Sequence, residues 1–253
     1  MITTYHRPRT LEQALALISR PNPRTLPLGG GTFLSHSNPE TYEVVDLQSL
    51  GINKIQKSGN NLEIGATATL QNLLENEDFP VNLRSALKLE APLNIRNTAS
   101  IAGTIAVSDG RSPFNLILLA LDAKIIIQPD DQEFLIGNLL PLRETLLQRK
   151  IITKIIIPIN LKVAFEYIAR TPADKPIVSS AVAIWPSGRT RVSLGGYGRI
   201  PVLAMDGSGS TGYDSAVRNV YSDANDEWAT SEYRQEAAVI LTRRCLAKIS
   251  LMN

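Results

Sequence analysis

Two short glycine-bearing segments lie about 70 residues apart, and their glycines allow backbone conformations that residues with a Cβ disfavour. They are Leu28-Gly29-Gly30-Gly31-Thr32 and Thr98-Ala99-Ser100-Ile101-Ala102-Gly103. Because glycine has no Cβ, three in succession can adopt positive φ and let the main chain approach a ligand closely. Successive N–H groups can then converge on an anion. One such loop is weak evidence, but two loops that could grip one diphosphate favour a binding site.

Composition indicates a globular protein. The chain has 253 residues, of which 43% are hydrophobic and 20% are charged, and this length favours two closely associated lobes. The 26 basic and 24 acidic side chains nearly cancel, which argues against nucleic-acid binding. No apolar run reaches the ~18 residues of a membrane span, and the N-terminal sequence lacks the layout of a signal peptide. We therefore expect a cytoplasmic protein without a membrane span.

The metal-binding residue types are scarce. Cys245 is the only cysteine, which excludes an internal disulfide and an iron–sulfur cluster held by four thiolates of this chain. The two histidines, His6 and His36, are isolated from carboxylate pairs, so a zinc site is not expected. We interpret both histidines as ordinary surface or loop residues.

The first half of the chain mixes helices and strands. Thr10 and Gln13 have the spacing of a capping box and predict a helix that runs to about Arg20. Residues 24–28 predict a short buried strand that runs directly into the glycines. The first glycine segment is therefore expected on a turn at the end of a strand. Further segments complete this half, with strands predicted at 43–47 and 62–66 and helices at 70–74, 81–89 and 114–121.

The second half begins as sheet and ends as helix. Strands are predicted from β-branched segments separated by turn residues, at 124–128, 151–157, 163–169, 177–185 and 190–194. Residues 231–249 predict one long amphipathic helix. The glycine- and serine-rich residues 206–212 between them are interpreted as a flexible, solvent-exposed connector.

The glycine segments do not fit the two common nucleotide motifs. Neither has the Gly-x-Gly-x-x-Gly pattern of a Rossmann unit, and the chain has no Gly-Lys-Ser or Gly-Lys-Thr of a P-loop. Taken alone, Gly-Gly-Gly-Thr is more often a tight turn than a binding site. If phosphates bind here, main-chain amides must hold them.

The motifs resemble, in order and spacing, the FAD-binding subunit or domain of molybdenum hydroxylases, the xanthine dehydrogenase and carbon monoxide dehydrogenase family. The resemblance begins at residues 5–8 and 10–14 and continues through the first glycine segment as far as Leu34. It extends over nearly the whole chain, through residues 45–47, 62–66, 95–97, 100–103, 119–123, 157–158, 193–196 and 233–234.

This resemblance implies an α+β fold: a two-lobed FAD-binding fold of the PCMH/vanillyl-alcohol-oxidase type with a C-terminal antiparallel sheet-and-helix domain. The FAD-binding domain would cover residues 1–160, with its lobes divided near residue 53, and the C-terminal domain would cover 161–253. It also implies an iron–sulfur subunit and a molybdopterin subunit as partners. The flavin would pass electrons to NAD⁺, a quinone or another acceptor, and no side chain need act as acid or base.

The resemblance also implies which residues contact FAD. The first segment, Leu28, Gly29, Gly30, Gly31, Thr32, Phe33 and Leu34, would bind the diphosphate through backbone N–H groups, with the Thr32 hydroxyl as a further donor. The second segment would complete the cradle through Ala99, Ser100, Gly103 and Thr104. Ile151 and Ile152 would lie near the flavin or adenine, although ordinary sheet core is an equally good interpretation. Asp109 would accept hydrogen bonds from ribityl or ribose hydroxyls, or alternatively stabilise a turn.

Several positions depart from the family pattern. Ala102 replaces a glycine and must therefore avoid positive φ, and Thr104 replaces an asparagine. Pro113 falls where the family has an aspartate, and Phe165-Glu166-Tyr167 lacks a lysine common in the family. The altered second motif and the missing lysine leave one alternative open, an assembly or regulatory subunit without a redox role. A stand-alone flavin reductase or oxidase is a separate alternative.

Overall fold

The computed structural model describes residues 1–35 and 40–252. His36 lies outside the described residues. The chain forms two compact units, each assembled from three segments. The first unit comprises Met1–Asn76, Leu93–Val107 and Lys124–Ile156, and the second comprises Glu77–Pro92, Ser108–Ala123 and Ile157–Asn253. The division at residue 160 into a cofactor domain and a C-terminal domain stays a prediction.

The first unit contains a three-stranded sheet that carries the first glycine segment. Its strands are β1 (Ile2–His6), β2 (Thr25–Leu28) and β3 (Tyr42–Asp46), in the order β1-β3-β2, and both pairings are parallel. The helix α1 (Leu11–Ile18) begins after Thr10, whose hydroxyl accepts the amide of Gln13 as the sequence predicts. Its buried face packs into a small core of Ala14, Ile18, Val45, Leu47 and Ile151.

A five-stranded sheet forms the rest of the framework of the first unit, in the order β4-β5-β8-β6-β7. The strands are β4 (Ile55–Ser58), β5 (Asn61–Gly65), β6 (Lys124–Gln128), β7 (Gln132–Leu135) and β8 (Ile151–Pro158). The pairs β4–β5, β6–β7 and β6–β8 are antiparallel. The helices of this unit besides α1 are α2 (Leu70–Glu75), α4 (Leu93–Arg96), α5 (Ile101–Val107) and α7 (Ile136–Leu146).

The second unit is built on a four-stranded antiparallel sheet, in the order β12-β11-β10-β9. Its strands are β9 (Lys162–Ile168), β10 (Val178–Ile184), β11 (Arg189–Gly195) and β12 (Val202–Ser208). The helices are α3 (Arg84–Glu90), α6 (Pro113–Ala120), α8 (Tyr213–Val220) and α9 (Ser231–Ser250). The predicted helix at 81–89 begins instead as a 3-10 turn over Val81–Leu83, directly after Pro80.

The sheet of the second unit lies between α6 and α9. The Ser180 hydroxyl contacts that of Thr242 on α9 at 2.9 Å, whereas the Arg191 guanidinium donates to the carbonyl of Leu119, in α6, at 3.1 Å. Alternate residues of a strand face opposite sides, so the register places these two side chains on opposite faces. The prediction of a flexible connector is wrong for residues 206–208, which belong to β12. Arg189 and Arg191 hold the Asp206 carboxylate there.

A buried carboxyl group caps α6 within this unit. Glu90 accepts hydrogen bonds from the Ser112 hydroxyl at 2.7 Å, the Phe114 amide at 2.9 Å and the Ser108 hydroxyl at 3.3 Å. Burial raises the pKa of Glu90 and outweighs these hydrogen bonds, which lower it.

Replacing Glu90 by glutamine is expected to change how stability depends on pH. Because the folded-state pKa of Glu90 is raised, its stabilising contribution is complete below the ordinary value of 4.5 and is lost as pH rises through the folded-state pKa. Glutamine does not titrate. The free energy of unfolding of the wild type minus that of Glu90→Gln should therefore fall between pH 4 and pH 7 in urea titrations. A difference that stays constant or rises over that range contradicts this account.

Candidate functional site

The first glycine segment leaves the carboxyl end of a parallel strand. Leu28 pairs with Asp46 at the ends of β2 and β3, and the Leu47 amide donates to the Leu28 carbonyl at 3.0 Å. Beyond Gly31 the chain turns back, and the Ser35 amide donates to the Gly31 carbonyl at 3.0 Å. The expected turn at the end of a strand is confirmed.

Several carbonyls of this loop accept hydrogen bonds from the protein, whereas four of its amides have no acceptor among the described residues. The Gln48 side-chain amide donates to the Gly29 carbonyl at 3.3 Å, in addition to the bonds at Leu28 and Gly31. In a trans peptide, the N–H of the next residue points away from the carbonyl. Within residues 1–35 and 40–252, the amides of Gly29, Gly30, Gly31 and Thr32 have no acceptor. Four consecutive amides without an acceptor in that part of the chain are available to bind an anion.

The two glycine segments touch each other. A Cβ on Gly30 would overlap the carbonyl oxygen of Thr98, and a Cβ on Gly29 would overlap the Ser100 side chain. Only Gly31 of the three has positive φ, at 71°. Gly29 and Gly30 are therefore required by close approach of the two loops, whereas Gly31 is required by its backbone conformation.

The second segment uses most of its own amides. The amides of Ile101 and Ala102 donate to the carbonyls of Ala68 and Ala66 at 2.8 and 3.1 Å. The amide of Gly103 donates to the Ser100 hydroxyl at 3.2 Å, and that of Thr104 donates to the Ser100 carbonyl at 2.9 Å.

The Ser100 amide has no acceptor among the described residues. The cradle is thus asymmetric, because the first loop supplies most of the free donors and the second supplies the wall against which it packs. Ala102 lies in α5 and is not among the residues with positive φ, which confirms the expectation for that position.

The other predicted contacts fall into different surroundings. Ile151 and Ile152 are buried in β8, and Ile151 belongs to the small core beneath α1, so packing alone accounts for it. Phe33 lies two residues after the last glycine of the first segment and is 56% exposed. Asp109 belongs to the second unit, where it accepts the Arg111 amide at 3.0 Å and lies 3.6 Å from the Lys175 ammonium. Roles for these residues toward FAD stay predictions.

Two polar side chains that were not predicted as site residues hold the loop. Gln48 bonds the Gly29 carbonyl, and the Tyr42 hydroxyl donates to the Leu34 carbonyl at 3.0 Å. Nothing in the local sequence marks either residue, since Tyr42 and Gln48 lie 11 and 17 residues after Gly31 in the chain. Their role follows from strand pairing between β2 and β3.

A charged cluster lies beside this end of the sheet. The buried Asp46 carboxylate accepts a hydrogen bond from the backbone amide of Gln48 at 2.9 Å and another from the Tyr5 hydroxyl. The Arg7 guanidinium lies 3.4 Å from the same carboxylate. The hydrogen bond to Asp46 raises the pKa of Tyr5. Asp46 therefore ties the turn that carries Gln48 to the end of β3.

His6 also makes a polar contact in the first unit. Its ring nitrogen lies 2.7 Å from the Glu43 carboxylate, which Arg20 also contacts at 2.8 Å. The hydrogen bond from His6 is the largest cause that lowers the pKa of Glu43.

Among the residues that the structure describes, no group of three or more His, Cys, Asp or Glu is placed to hold a metal ion. In the same residues, no helix has the length and apolarity needed to cross a membrane.

Comparison with known proteins identifies the family. Residues 1–160 match the model of the family described as the FAD binding domain in molybdopterin dehydrogenase. The chain belongs to this family. The family is one of FAD-binding oxidoreductase components, so FAD as the cofactor and the proposed kinship with molybdenum hydroxylases are confirmed.

Relatives within the family cover most of the chain. The uncharacterized protein YgfM of Escherichia coli K12 is 30% identical over 201 residues, which are 78% of this chain and 75% of YgfM. The glyceraldehyde dehydrogenase medium chain of Sulfolobus acidocaldarius is 24% identical over 282 aligned residues, with 98% of each chain covered.

A solved structure shows the same fold. A chain of carbon monoxide dehydrogenase from Hydrogenophaga pseudoflava matches with a TM-score of 0.81 at 22% identity, covering 98% of this chain and 96% of that one. The α+β class and the antiparallel sheet with helices in the second unit are confirmed.

The residues present at the glycine loops fit a diphosphate. Four amides without an acceptor among the described residues follow one another at Gly29–Thr32, and the side-chain-free faces of Gly29 and Gly30 hold the loop tightly against the second segment. The altered residues of the second segment do not disturb this arrangement, because Ala102 is helical and the Thr104 hydroxyl bonds the Ser100 carbonyl at 3.0 Å.

Proposed function

We propose that this chain is the FAD-bearing electron-transfer subunit of a molybdenum hydroxylase. It would accept electrons from an iron–sulfur subunit that is itself reduced by a molybdopterin subunit. The acceptor would be NAD⁺, a quinone or another oxidant. The observation that carries this proposal is the row of amides at Gly29–Thr32 that no described residue pairs, in a chain of the FAD-binding family.

The chain's own residues bind and orient the cofactor. Amide donors of the first glycine loop would hold the diphosphate, and the Thr32 hydroxyl would add a further donor. FAD, when bound, supplies the redox chemistry, since it accepts and donates electrons singly or in pairs. The chain carries one cysteine, and Cys245 is buried, so it cannot by itself hold a four-thiolate cluster. The iron–sulfur clusters would therefore belong to a partner.

Purification of the full chain tests this proposal. The protein is expected to be yellow, with a flavin absorption spectrum, and to release a compound with the mass of FAD on denaturation. A colourless protein that does not take up added FAD would contradict the cofactor site.

The partners and the acceptor need two further measurements. Co-purification with an iron–sulfur protein and a molybdopterin protein is expected, and the flavin should become reduced when a substrate of that complex is added. Oxidation of the dithionite-reduced protein by NAD⁺ and by a water-soluble quinone would then show which acceptor it uses. A complex that assembles while its flavin stays oxidised would favour an assembly or regulatory subunit. Turnover of NADH by the isolated chain would favour a stand-alone reductase.

A further inference from the structure

We propose that Tyr42 and Gln48 are positioning residues for the diphosphate, because each holds a carbonyl of the glycine loop so that the loop's amides face the ligand. Residues 28–34 form this glycine loop. This inference rests on the proposed FAD site. Neither side chain needs to touch the cofactor.

Gln48 holds the start of the glycine loop. Its side-chain amide donates to the Gly29 carbonyl at 3.3 Å. Because the C=O and N–H of a trans peptide point in opposite directions within one plane, the Gly30 N–H is directed away from Gln48. A hydrogen bond to a carbonyl also polarises the peptide and strengthens its N–H as a donor. Gln48 is itself placed by Asp46, whose buried carboxylate accepts the Gln48 backbone amide at 2.9 Å.

Tyr42 holds the other end of the glycine loop. This side chain is 3% exposed, and its hydroxyl donates to the Leu34 carbonyl at 3.0 Å, at the far end of the loop. Tyr42 is the first residue of β3, and Gln48 lies two residues beyond the last. The two ends of the glycine loop are therefore attached to the two ends of one strand.

The two hydrogen bonds that hold the loop's carbonyls should strengthen the binding of FAD. Three successive glycines have more conformational freedom than any other tripeptide, and that freedom is lost when the loop orders around a ligand. Holding the carbonyls in advance reduces the loss, which increases affinity through preorganisation. Because Gln48 is exposed, its hydrogen bond contributes little to folding and its removal should act on the ligand.

The test compares Gln48→Met and Tyr42→Phe with the wild type in the full chain. Each substitution removes one donor and keeps the length or the ring of the side chain. FAD is expected to bind each variant about tenfold more weakly, because one hydrogen bond in the site is lost. The thermal midpoint of the Gln48→Met apoprotein should stay within about 1 °C of the wild type, because Gln48 is exposed. That of Tyr42→Phe should fall by about 2–4 °C, because its hydroxyl is buried. At saturating FAD, the ³¹P resonances of the bound diphosphate should move, which a purely structural role would not cause.

Gln148→Met is the matched control, since Gln148 is an exposed glutamine of the same unit, just after α7. It should bind FAD like the wild type. If Gln48→Met and Tyr42→Phe also bind like the wild type with unchanged ³¹P resonances, the positioning role is overturned while the FAD site stands. If Gln48→Met loses apoprotein stability in proportion to affinity, or if Tyr42→Phe leaves the ³¹P resonances unchanged, the role is structural and the inference is again overturned. If the wild type does not bind FAD, both proposals fall.

Discussion

Gly30→Ala is expected to weaken FAD binding by about a hundredfold. A Cβ at this position would overlap the Thr98 carbonyl, which is backbone and cannot rotate away. The two glycine loops must then move apart, and overpacking of this kind costs up to ~3 kcal/mol. The displacement falls on the row of amides at Gly29–Thr32 that would hold the diphosphate. Titration of the apoprotein with FAD, followed by flavin fluorescence, measures the effect.

Gly51→Ala provides the control for this experiment. Gly51 lies in the same unit and has a φ of 69°, and apart from its chain neighbours no described atom lies within 4 Å of where a Cβ would stand. Alanine there strains the backbone by about 1 kcal/mol without pushing on a neighbour. It should lower the thermal midpoint slightly and leave FAD affinity unchanged. Equal FAD affinity in Gly30→Ala and Gly51→Ala would show that close approach of the loops does not shape the site.

Arg234→Met is expected to destabilise the second unit by about 3–5 kcal/mol. The Arg234 side chain is completely buried in α9. Its guanidinium donates to the Gly196 carbonyl at 2.9 Å, to the Ile177 carbonyl and to the Asp226 carboxylate at 2.6 Å. Methionine fills a similar volume but leaves these acceptors without their donor. Urea denaturation followed by circular dichroism should show a lower midpoint.

Arg218→Met is the matched control, because Arg218 makes an exposed ion pair with Glu236. Surface pairs of this kind contribute about 0–1 kcal/mol, so the variant should remain close to the wild type. Adding Asp226→Asn to Arg234→Met should recover part of the lost stability, since it removes a negative charge that has lost its guanidinium partner and keeps an oxygen that can accept the Trp228 and Ala229 amides. If Arg234→Met unfolds at the same urea concentration as Arg218→Met, the buried guanidinium is not what joins α9 to the sheet.

Local patterns predicted the elements whose signals are complete within a few residues. The helix α1 has its capping threonine and regular apolar spacing, and the strands β9, β10 and β11 of the second unit are segments with β-branched residues between turns, whereas β12 was not predicted. The helix α9 spans 20 residues, and buried positions such as Ala238, Leu241 and Cys245 recur at helical spacing along it. In each case the residues that determine the element lie inside it or beside it.

Elements with weak local signals were missed. The strand β1 is exposed along most of its length and is recognisable only from its pairing with β3. The helix α7 contains Pro141 and only three buried residues, so its apolar pattern is faint. The end of β12 looked like a connector, but Arg189 and Arg191, on the neighbouring strand, hold Asp206 in the sheet.

The sequence by itself determined where the glycines lie, that a strand leads into the first of them, and which family the ordered motifs resemble. Only the tertiary structure decided what each glycine is for: Gly29 and Gly30 make room for the second loop, and Gly31 provides a positive φ. It also decided that Tyr42 and Gln48 hold the loop's carbonyls. The physical reason is that a glycine pattern records the absence of a side chain, whereas the atom that would occupy that space comes from residues far away in the chain.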